Sequence, residues 1–230
     1  SSITIGRADG TGAIDIDAIT FTDPVIIRGG AMSVTGLAAG ANNITLTSTA
    51  AIDEDADNTT VDITTATTLT MTAAGALGAT AGTGALDLSV GTLQAVTNAG
   101  GIFLLEADTL IIGGTGVQTT ANNAAIAITL TAGSLTLDED ITANGSGTVT
   151  LTLSTADTGV ITSAGADDIV STSGAITINA DRLTLAGGNI TSTGALILQP
   201  NATAETIGIG DGATGGFDLD ANEIALLSNG

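Results

Sequence analysis

The sequence predicts an all-β fold, a right-handed parallel β-helix (β-solenoid) in which short strands stack turn upon turn. Three observations lead to this prediction: brief runs of alternating apolar and polar residues, repeated glycine-led phrases, and the near absence of helical periodicity. The right-handed winding follows from the strong bias of crossover connections between parallel strands.

Alternating runs occur along the whole chain, and each is apolar on one face and polar on the other. Most of them end at Gly, Asn, Asp or Ser, which tolerate the backbone conformations of a corner. Helical spacing of apolar residues lasts no longer than about one turn, and residues 222–227 come nearest to it. The clearest runs are Ile3-Thr4-Ile5, Ile14-Asp15-Ile16, Ile44-Thr45-Leu46, Leu135-Thr136-Leu137, Val149-Thr150-Leu151, Ile176-Thr177-Ile178 and Leu183-Thr184-Leu185.

Short sequence motifs that begin with glycine recur at a regular interval near the C-terminus. GAITI, GALIL and GGFDL begin at Gly174, Gly194 and Gly215, which are 20 and then 21 residues apart. A longer segment is also repeated: LTLDEDIT begins at Leu135, and the similar LTLAGGNIT begins at Leu183. We therefore expect about eleven coils of roughly 20 residues, which at ~4.8 Å per coil form a rod of about 50 Å.

The composition predicts a narrow aliphatic core. Hydrophobic residues make up 43% of the chain, yet aromatic residues make up only 1%, with three Phe and no Trp or Tyr. Stacked coils bury such residues in continuous ladders of Ile, Leu and Val. We expect residues 1–230 to form a single β-solenoid domain that is one segment or repeat of a longer fibrous array.

The two ends of the chain carry similar phrases. TIGIGDGATGGFDLDA (residues 206–221) echoes TIGRADGTGAIDIDA (residues 4–18), which predicts that the last coil resembles the first. Neither end shows a capping helix or a charged cover over its strand edges. We therefore predict end-to-end stacking of copies, in which Leu226 and Leu227 of one copy contact Ile3 and Ile5 of the next.

The charge of the chain excludes two classes of partner. It carries 24 acidic and three basic residues, with no His, for a formal net charge of -21. Nucleic acid and anionic membrane surfaces repel such a chain, and no apolar run reaches the roughly 20 residues of a membrane-spanning helix. The absence of Cys excludes disulfides. We expect neither nucleic acid binding nor membrane insertion.

Three phrases carry a resemblance to a known family. They are SITIGRADGTGAI (residues 2–14), LDEDITANGSGTV (residues 137–149), and ALILQP (residues 195–200) followed by TIGIG (residues 206–210). The chain resembles, over nearly all of its length, the filamentous haemagglutinin family of two-partner-secreted bacterial adhesins. The resemblance implies a right-handed β-helix shaft located outside the cell or on the bacterial surface.

The densest acidic cluster, residues 53–58, is a candidate calcium site. Asp53, Asp55 and Asp57 alternate, so their carboxylates could converge on one Ca²⁺ ion. The segment also imitates the start of an EF-hand loop, but Asn58 stands where that loop needs Gly and Thr64 where it needs Glu. We favour a solvated loop that protects a strand edge, and otherwise expect no cofactor.

Catalysis is not expected. Pairs of carboxylates such as Asp15 with Asp17, or Asp167 with Asp168, fit the two acids of glycoside hydrolysis. Polysaccharide cleavage also needs basic or aromatic residues to hold the sugar, and the chain has three Arg and no Lys, His, Trp or Tyr.

The leading interpretation is a structural shaft module of an extracellular bacterial fibre or adhesin that assembles end to end. The alternative is an adhesin segment that binds a cell-surface glycan or protein through an exposed loop, with or without Ca²⁺. The candidate loops for that alternative are residues 53–57 and residues 164–168.

Overall fold

The computed structural model of the chain describes residues 1–154, 159–163 and 165–229. These residues form short strands and one helix of five residues. The elements in chain order are β1 Ile3–Gly6, β2 Ile14–Ile16, β3 Ile19–Thr20, β4 Val25–Gly29, β5 Met32–Val34, β6 Leu37–Ala38, β7 Ile44–Ser48, β8 Ile52–Glu54, β9 Ile63–Ala73, β10 Leu86–Thr97, β11 Ile102–Glu106, β12 Leu110–Thr119, β13 Ile126–Leu130, β14 Leu135–Leu137, β15 Ile141–Ala143, β16 Val149–Leu153, β17 Val160–Ser163, β18 Ile169–Ser171, β19 Ile176–Asn179, β20 Arg182–Leu185, β21 Ile190–Ser192, β22 Leu196–Gln199, β23 Ile207–Ile209, β24 Phe217–Leu219, α1 Ala221–Ala225 and β25 Leu227–Asn229.

Every alternating run singled out in the sequence lies in a strand. Ile44, Leu46 and Ser48 of β7, for example, are buried while Thr45 and Thr47 are half-buried, which is the period-two pattern of a strand with one face toward a core. The prediction of an all-β chain with almost no helix is therefore confirmed.

The strands stack in parallel along three faces, so the chain is a β-solenoid. Face 1 contains β1, β4, β7, the second halves of β9, β10 and β12, and then β15, β18, β21 and β25. Face 2 contains β2, β5, β8, the single residue Leu77, β11, β13, β16, β19 and β22. Face 3 contains β3, β6, the first halves of β9, β10 and β12, and then β14, β17 and β20.

The rod has about eight turns, so the predicted number of about eleven coils is wrong. A turn takes 18 residues from Ile14 to Met32 but 25 from Ile52 to Leu77 and 28 from Ile141 to Ile169. The interval of 20 residues is real where GAITI and GALIL stack, but most turns are longer because they carry wider corners. At ~4.8 Å per turn the rod is roughly 40 Å long.

The core is the narrow aliphatic interior that the composition predicts. Inward-facing residues of successive turns lie directly above one another and form columns that water does not enter. Of the three Phe residues only Phe217 belongs to this core. The column on face 2, for example, is Ile14, Met32, Ile52, Leu77, Ile102, Ile126, Val149, Ile176 and Leu196.

The corner between faces 1 and 2 explains why glycine leads the repeated phrases. A Cβ atom at Gly174 would collide with the backbone of Gly147 in the preceding turn, so only glycine permits the stacking distance there. Buried hydroxyls satisfy the carbonyl oxygens of the same corner: Ser171 donates to Gly147 O and Ser192 to Gly174 O, both at 2.6 Å.

The C-terminal end of the rod differs from its N-terminal end, despite their similar sequences. β1 and β2 lie on different faces and pair with the next turn, whereas the corresponding β23 and β24 pair with each other. β24 packs against β20, and α1 follows it, capped by Asp220 and Glu223 in a reciprocal capping box. The predictions of a matching last coil and of an end without a helix are therefore wrong.

Candidate functional site

Asp53, Asp55 and Asp57, the calcium candidate weighed in the sequence, do not form a group of carboxylates within 4.8 Å of one another among the described residues. Asp53 is half-buried, and its Oδ1 accepts a hydrogen bond from the Glu54 amide, while Asp55 and Asp57 are exposed. Asp55 accepts a hydrogen bond from the Ser33 hydroxyl at 3.1 Å. Asp53 alternates with inward-facing Glu54 on β8, and Asp55 begins the loop beyond that strand.

A different set of carboxylates does converge. Oxygen atoms of Glu54, Asp62 and Asp87 all lie within 4.8 Å of one another. Glu54 is the last residue of β8 and points inward beside the buried Ile52. These three side chains are called the acidic triad below.

Register between turns brings the other two members of the triad together. Ile63 of β9 pairs with Leu88 of β10, which places Asp62 beside Asp87, one turn of 25 residues later. The Asp62 amide donates to the Asp87 carbonyl at 2.8 Å, and the Asp87 amide donates to Asp62 Oδ2 at 3.1 Å. The backbone therefore fixes the stacking of these two carboxyl groups.

The triad is buried, and part of it has no hydrogen-bond donor. Glu54, Asp62 and Asp87 are 7%, 4% and 2% exposed. Glu54 Oε1 and both carboxylate oxygens of Asp87 are buried without a hydrogen-bond partner. Burial raises the pKa of Glu54 to about 7 and those of Asp62 and Asp87 to about 6, and repulsion from neighbouring carboxylates, which for Asp62 is that of Asp53, adds to the effect.

Basic side chains do not neutralise the triad. The chain has only Arg7, Arg28 and Arg182 as cationic side chains, and the one ion pair among the described residues joins Arg7 to Asp9. Arg7 and Asp9 are exposed, in a turn outside the core. The buried negative charge must therefore be balanced by a proton or by a bound cation.

From the sequence, only the densest run of acids was weighed as a calcium site, and the triad was missed. The available signal was the position of Glu54, which follows Ile52 by two residues and so falls on the inward face of the alternation. The separation of Asp62 and Asp87 by 25 residues, the length of one turn, was the second signal, but the predicted coil of roughly 20 residues concealed it.

The described part of the second candidate loop, residues 165–168, offers no comparable convergence of acids. Ala164 lies outside the described residues. Asp168 Oδ1 accepts hydrogen bonds from the Asn189 amide at 2.7 Å and from Asn189 Nδ2 at 3.2 Å. This carboxylate ties two successive turns together at an exposed corner.

The residues predicted for end-to-end contact lie at opposite ends of face 1. Ile3 and Ile5 belong to β1, and Leu227 belongs to β25. Among the described strands β1 pairs only with β4, and β25 only with β21. Leu226 is not in a strand but is the C-cap residue of α1. Ile3 and Ile5 are 39% and 42% exposed, whereas Leu226 and Leu227 are partly buried against the core.

The N-terminal end of the rod opens onto the core. A cleft of about 310 Å³ is lined by apolar residues of the first turns together with Asp15 and Asp17 at its rim. Its apolar lining is Ile5, Ile14, Ile16, Ile19, Phe21 and Ile27. The interior of the solenoid is therefore accessible from this end.

A separate buried acid, Glu106, is held entirely by backbone donors. It ends β11, is inaccessible to solvent, and accepts hydrogen bonds from the amides of Val90, Ala107 and Asp108. Burial raises the pKa of Glu106 to about 8, and the nearby Asp108 carboxylate adds to the rise.

The Glu106 carboxyl group should therefore make the stability of the folded protein fall as the pH rises from about 5 to 8. A carboxyl group whose pKa is higher in the folded state than in the unfolded state stabilises the fold fully at low pH, and this contribution is lost as the pH rises through the folded-state value. We expect the melting temperature of the wild-type protein at pH 8 to be roughly 5–10 °C below that of Glu106→Gln, and the two to agree near pH 4.5.

Thermal melts followed by far-UV circular dichroism at several pH values measure this difference. Asp138→Asn, which removes an exposed acid, is the control and should follow the wild-type pH profile. Parallel profiles for the wild type and Glu106→Gln would contradict the prediction.

No family model, curated protein or solved structure matches the chain, so the resemblance to filamentous haemagglutinins stays a prediction. Within the described ranges, no helix has the length and apolar character that crossing a membrane requires.

Proposed function

We propose that the chain is a structural shaft module of an extracellular bacterial fibre or adhesin, and that copies of it assemble end to end. The observation that carries the proposal is the placement of exposed apolar side chains. Among the described residues, the large hydrophobic side chains that are exposed all lie near one end of the rod or the other: Ile3, Ile5 and Ile19 at the N-terminal end, and Ile197, Ile207, Ile209 and Ile224 at the C-terminal end.

Unpaired strand edges accompany these side chains. β1 has a partner on one side only, and so does β25 at the far end of face 1. A free edge of backbone donors and acceptors is a template for another strand, and a second copy supplies a parallel strand with the same spacing. In the proposed junction β25 of one copy pairs with β1 of the next, which extends the face 1 column from Leu227 into Ile3.

The outward-facing side chains along the rod favour a structural role over an enzymatic one. Outward positions on the three faces are mostly Thr, Ser, Asn and Asp, and the chain offers no Lys, His, Trp or Tyr for holding a sugar. A formal charge of -21 keeps neighbouring rods apart laterally, so association is favoured only where apolar edges meet.

We expect purified protein at high concentration to form rods longer than the roughly 40 Å of one molecule, as seen by negative-stain electron microscopy. Ile5→Lys should abolish these rods, because a charged side chain at a free edge opposes strand addition. The same substitution at Thr142, an outward position on β15 in the middle of face 1, should leave assembly unchanged.

Salt provides a second readout of the same assembly. Both ends carry acidic residues, so added NaCl should screen their repulsion and lengthen the rods, while leaving Ile5→Lys monomeric. Monomers of wild-type protein at every concentration and salt level would contradict end-to-end assembly. Equal assembly by Ile5→Lys would place the junction elsewhere on the rod.

A further inference from the structure

We propose that the acidic triad of Glu54, Asp62 and Asp87 binds one Ca²⁺ ion between neighbouring turns of the solenoid. The site lies in the body of the rod, away from the strand edges of the proposed junction, and does not depend on assembly. It differs from the candidate at Asp53, Asp55 and Asp57, for which the sequence favoured a solvated loop.

The spacing of the triad suits calcium. Ca²⁺ binds oxygen ligands at about 2.3–2.6 Å, so two ligands of one ion lie no more than roughly 5 Å apart. The triad oxygens lie within 4.8 Å of one another, inside this limit. Mg²⁺, with bonds of about 2.0–2.1 Å and a strict octahedral geometry, would require the carboxylates to move closer together.

The unpartnered oxygens are an independent indication of a ligand. Asp87 is 2% exposed, and neither of its carboxylate oxygens has a hydrogen-bond donor; Glu54 Oε1 is in the same situation. Buried polar atoms in folded proteins nearly always have a partner, because an unpaired one costs free energy. Three such atoms within one cluster of carboxylates, in a chain whose one ion pair among the described residues lies elsewhere, fit coordination to a cation.

Backbone donors hold two other oxygens of the triad in place. The Asn58 amide donates to Glu54 Oε2 at 3.3 Å, and the Asp87 amide donates to Asp62 Oδ2 at 3.1 Å. Such contacts fix the orientation of ligating groups in metal sites. They leave Glu54 Oε1 and both oxygens of Asp87 free for an ion.

An open cleft borders the triad at Asp87. Its volume is about 310 Å³, and Thr59, Val61 and Asp87 are among the residues that line it. Water molecules in this cleft would complete the coordination shell, because Ca²⁺ takes six to eight oxygen ligands. The bound ion would tie the loop of residues 55–61 to the following turn of the rod.

Calorimetry and thermal melts test the proposal directly. The full chain is stripped with a chelator and titrated with CaCl₂ in about 150 mM NaCl, so that diffuse binding to surface acids is screened. We expect one Ca²⁺ per chain, and a melting temperature about 5–10 °C higher with Ca²⁺ at a hundredfold excess over its Kd than with chelator. MgCl₂ at the same concentration should give a much smaller rise.

Isosteric variants locate the ion. Asp87→Asn should bind Ca²⁺ at least tenfold more weakly, and its melting temperature in chelator should equal or exceed that of the wild type, because a buried negative charge has been removed. Asp55→Asn, which changes an exposed acid one residue from Glu54, is the matched control and should retain both the heat and the thermal shift.

Three results would overturn the proposal. They are wild-type protein without a calcium response, a response that Asp87→Asn retains in full, and a response that Asp55→Asn loses equally. The first would mean that protons alone neutralise the triad. The other two would assign binding to surface acids.

Discussion

Ile128→Asp should prevent the rod from folding, or reduce its free energy of unfolding by more than about 4 kcal/mol, which makes it the most damaging substitution considered. Ile128 is 1% exposed, in the middle of β13 on face 2. It stacks between Leu104 of the preceding turn and Leu151 of the following turn. A carboxylate there would have apolar neighbours above and below it.

The architecture makes this defect more serious than it would be in a globular core. Each turn of a solenoid contacts only the turns next to it, so a fault in the middle disconnects two halves that cannot support each other. Unfolding should then lose cooperativity as well as stability, with two transitions in place of one.

Thr129→Asp is the matched control for this prediction. Thr129 is the next residue of β13, half-buried and directed outward. We therefore expect Thr129→Asp to lower the free energy of unfolding by less than about 1 kcal/mol. Ile128→Ala, at about 2–5 kcal/mol, keeps the test quantitative if Ile128→Asp does not fold. Guanidinium chloride unfolding is followed by far-UV circular dichroism, because the chain has no Trp or Tyr. Equal losses for Ile128→Asp and Thr129→Asp would contradict the assigned faces.

Gly78→Ala should lower the free energy of unfolding by about 3–5 kcal/mol, an unusually large loss for the addition of one methyl group. Gly78 follows Leu77, the residue that joins β8 to β11 on face 2, and its φ is +68°. A Cβ atom there would collide with the carbonyl oxygen of Phe103 and lie 2.9 Å from the amide nitrogen of Leu86. The turn would have to separate from β11 to admit it.

Gly82→Ala separates the two causes of this penalty. Gly82 also has a positive φ, of +85°, but a Cβ atom there meets nothing within 4 Å. We therefore expect Gly82→Ala to lower the free energy of unfolding by only about 1–2 kcal/mol, because only the left-handed backbone conformation opposes the substitution. The same denaturant titration compares both variants. Similar losses for Gly78→Ala and Gly82→Ala would show that crowding between turns contributes little.

Local pattern was enough to predict the strands and their inward faces. Leu135-Thr136-Leu137 and Leu183-Thr184-Leu185 became β14 and β20, two turns apart on face 3, as their shared phrase implies. Alternation is a property of neighbouring residues, so it can be read without knowing the fold.

The number of turns could not be predicted in the same way, because turn length depends on corners that carry no periodic signal. The GGFDL segment shows the difficulty: Phe217 has the expected spacing of 21 residues from Leu196 but pairs with Ile207 and does not continue face 2. The acidic triad was missed for the same reason, since only the register between turns brings Asp62 and Asp87 together.

The hydrogen bonds between turns have a mechanical consequence. They run along the rod axis, while the chain itself winds around that axis, so a pull on the two ends would peel turns away one at a time. A turn of 24 residues, such as that from Val117 to Ile141, adds only ~4.8 Å to the folded rod but releases about 80 Å of extended chain when it opens. A fibre built from such turns would lengthen stepwise and limit the force on its attachment points.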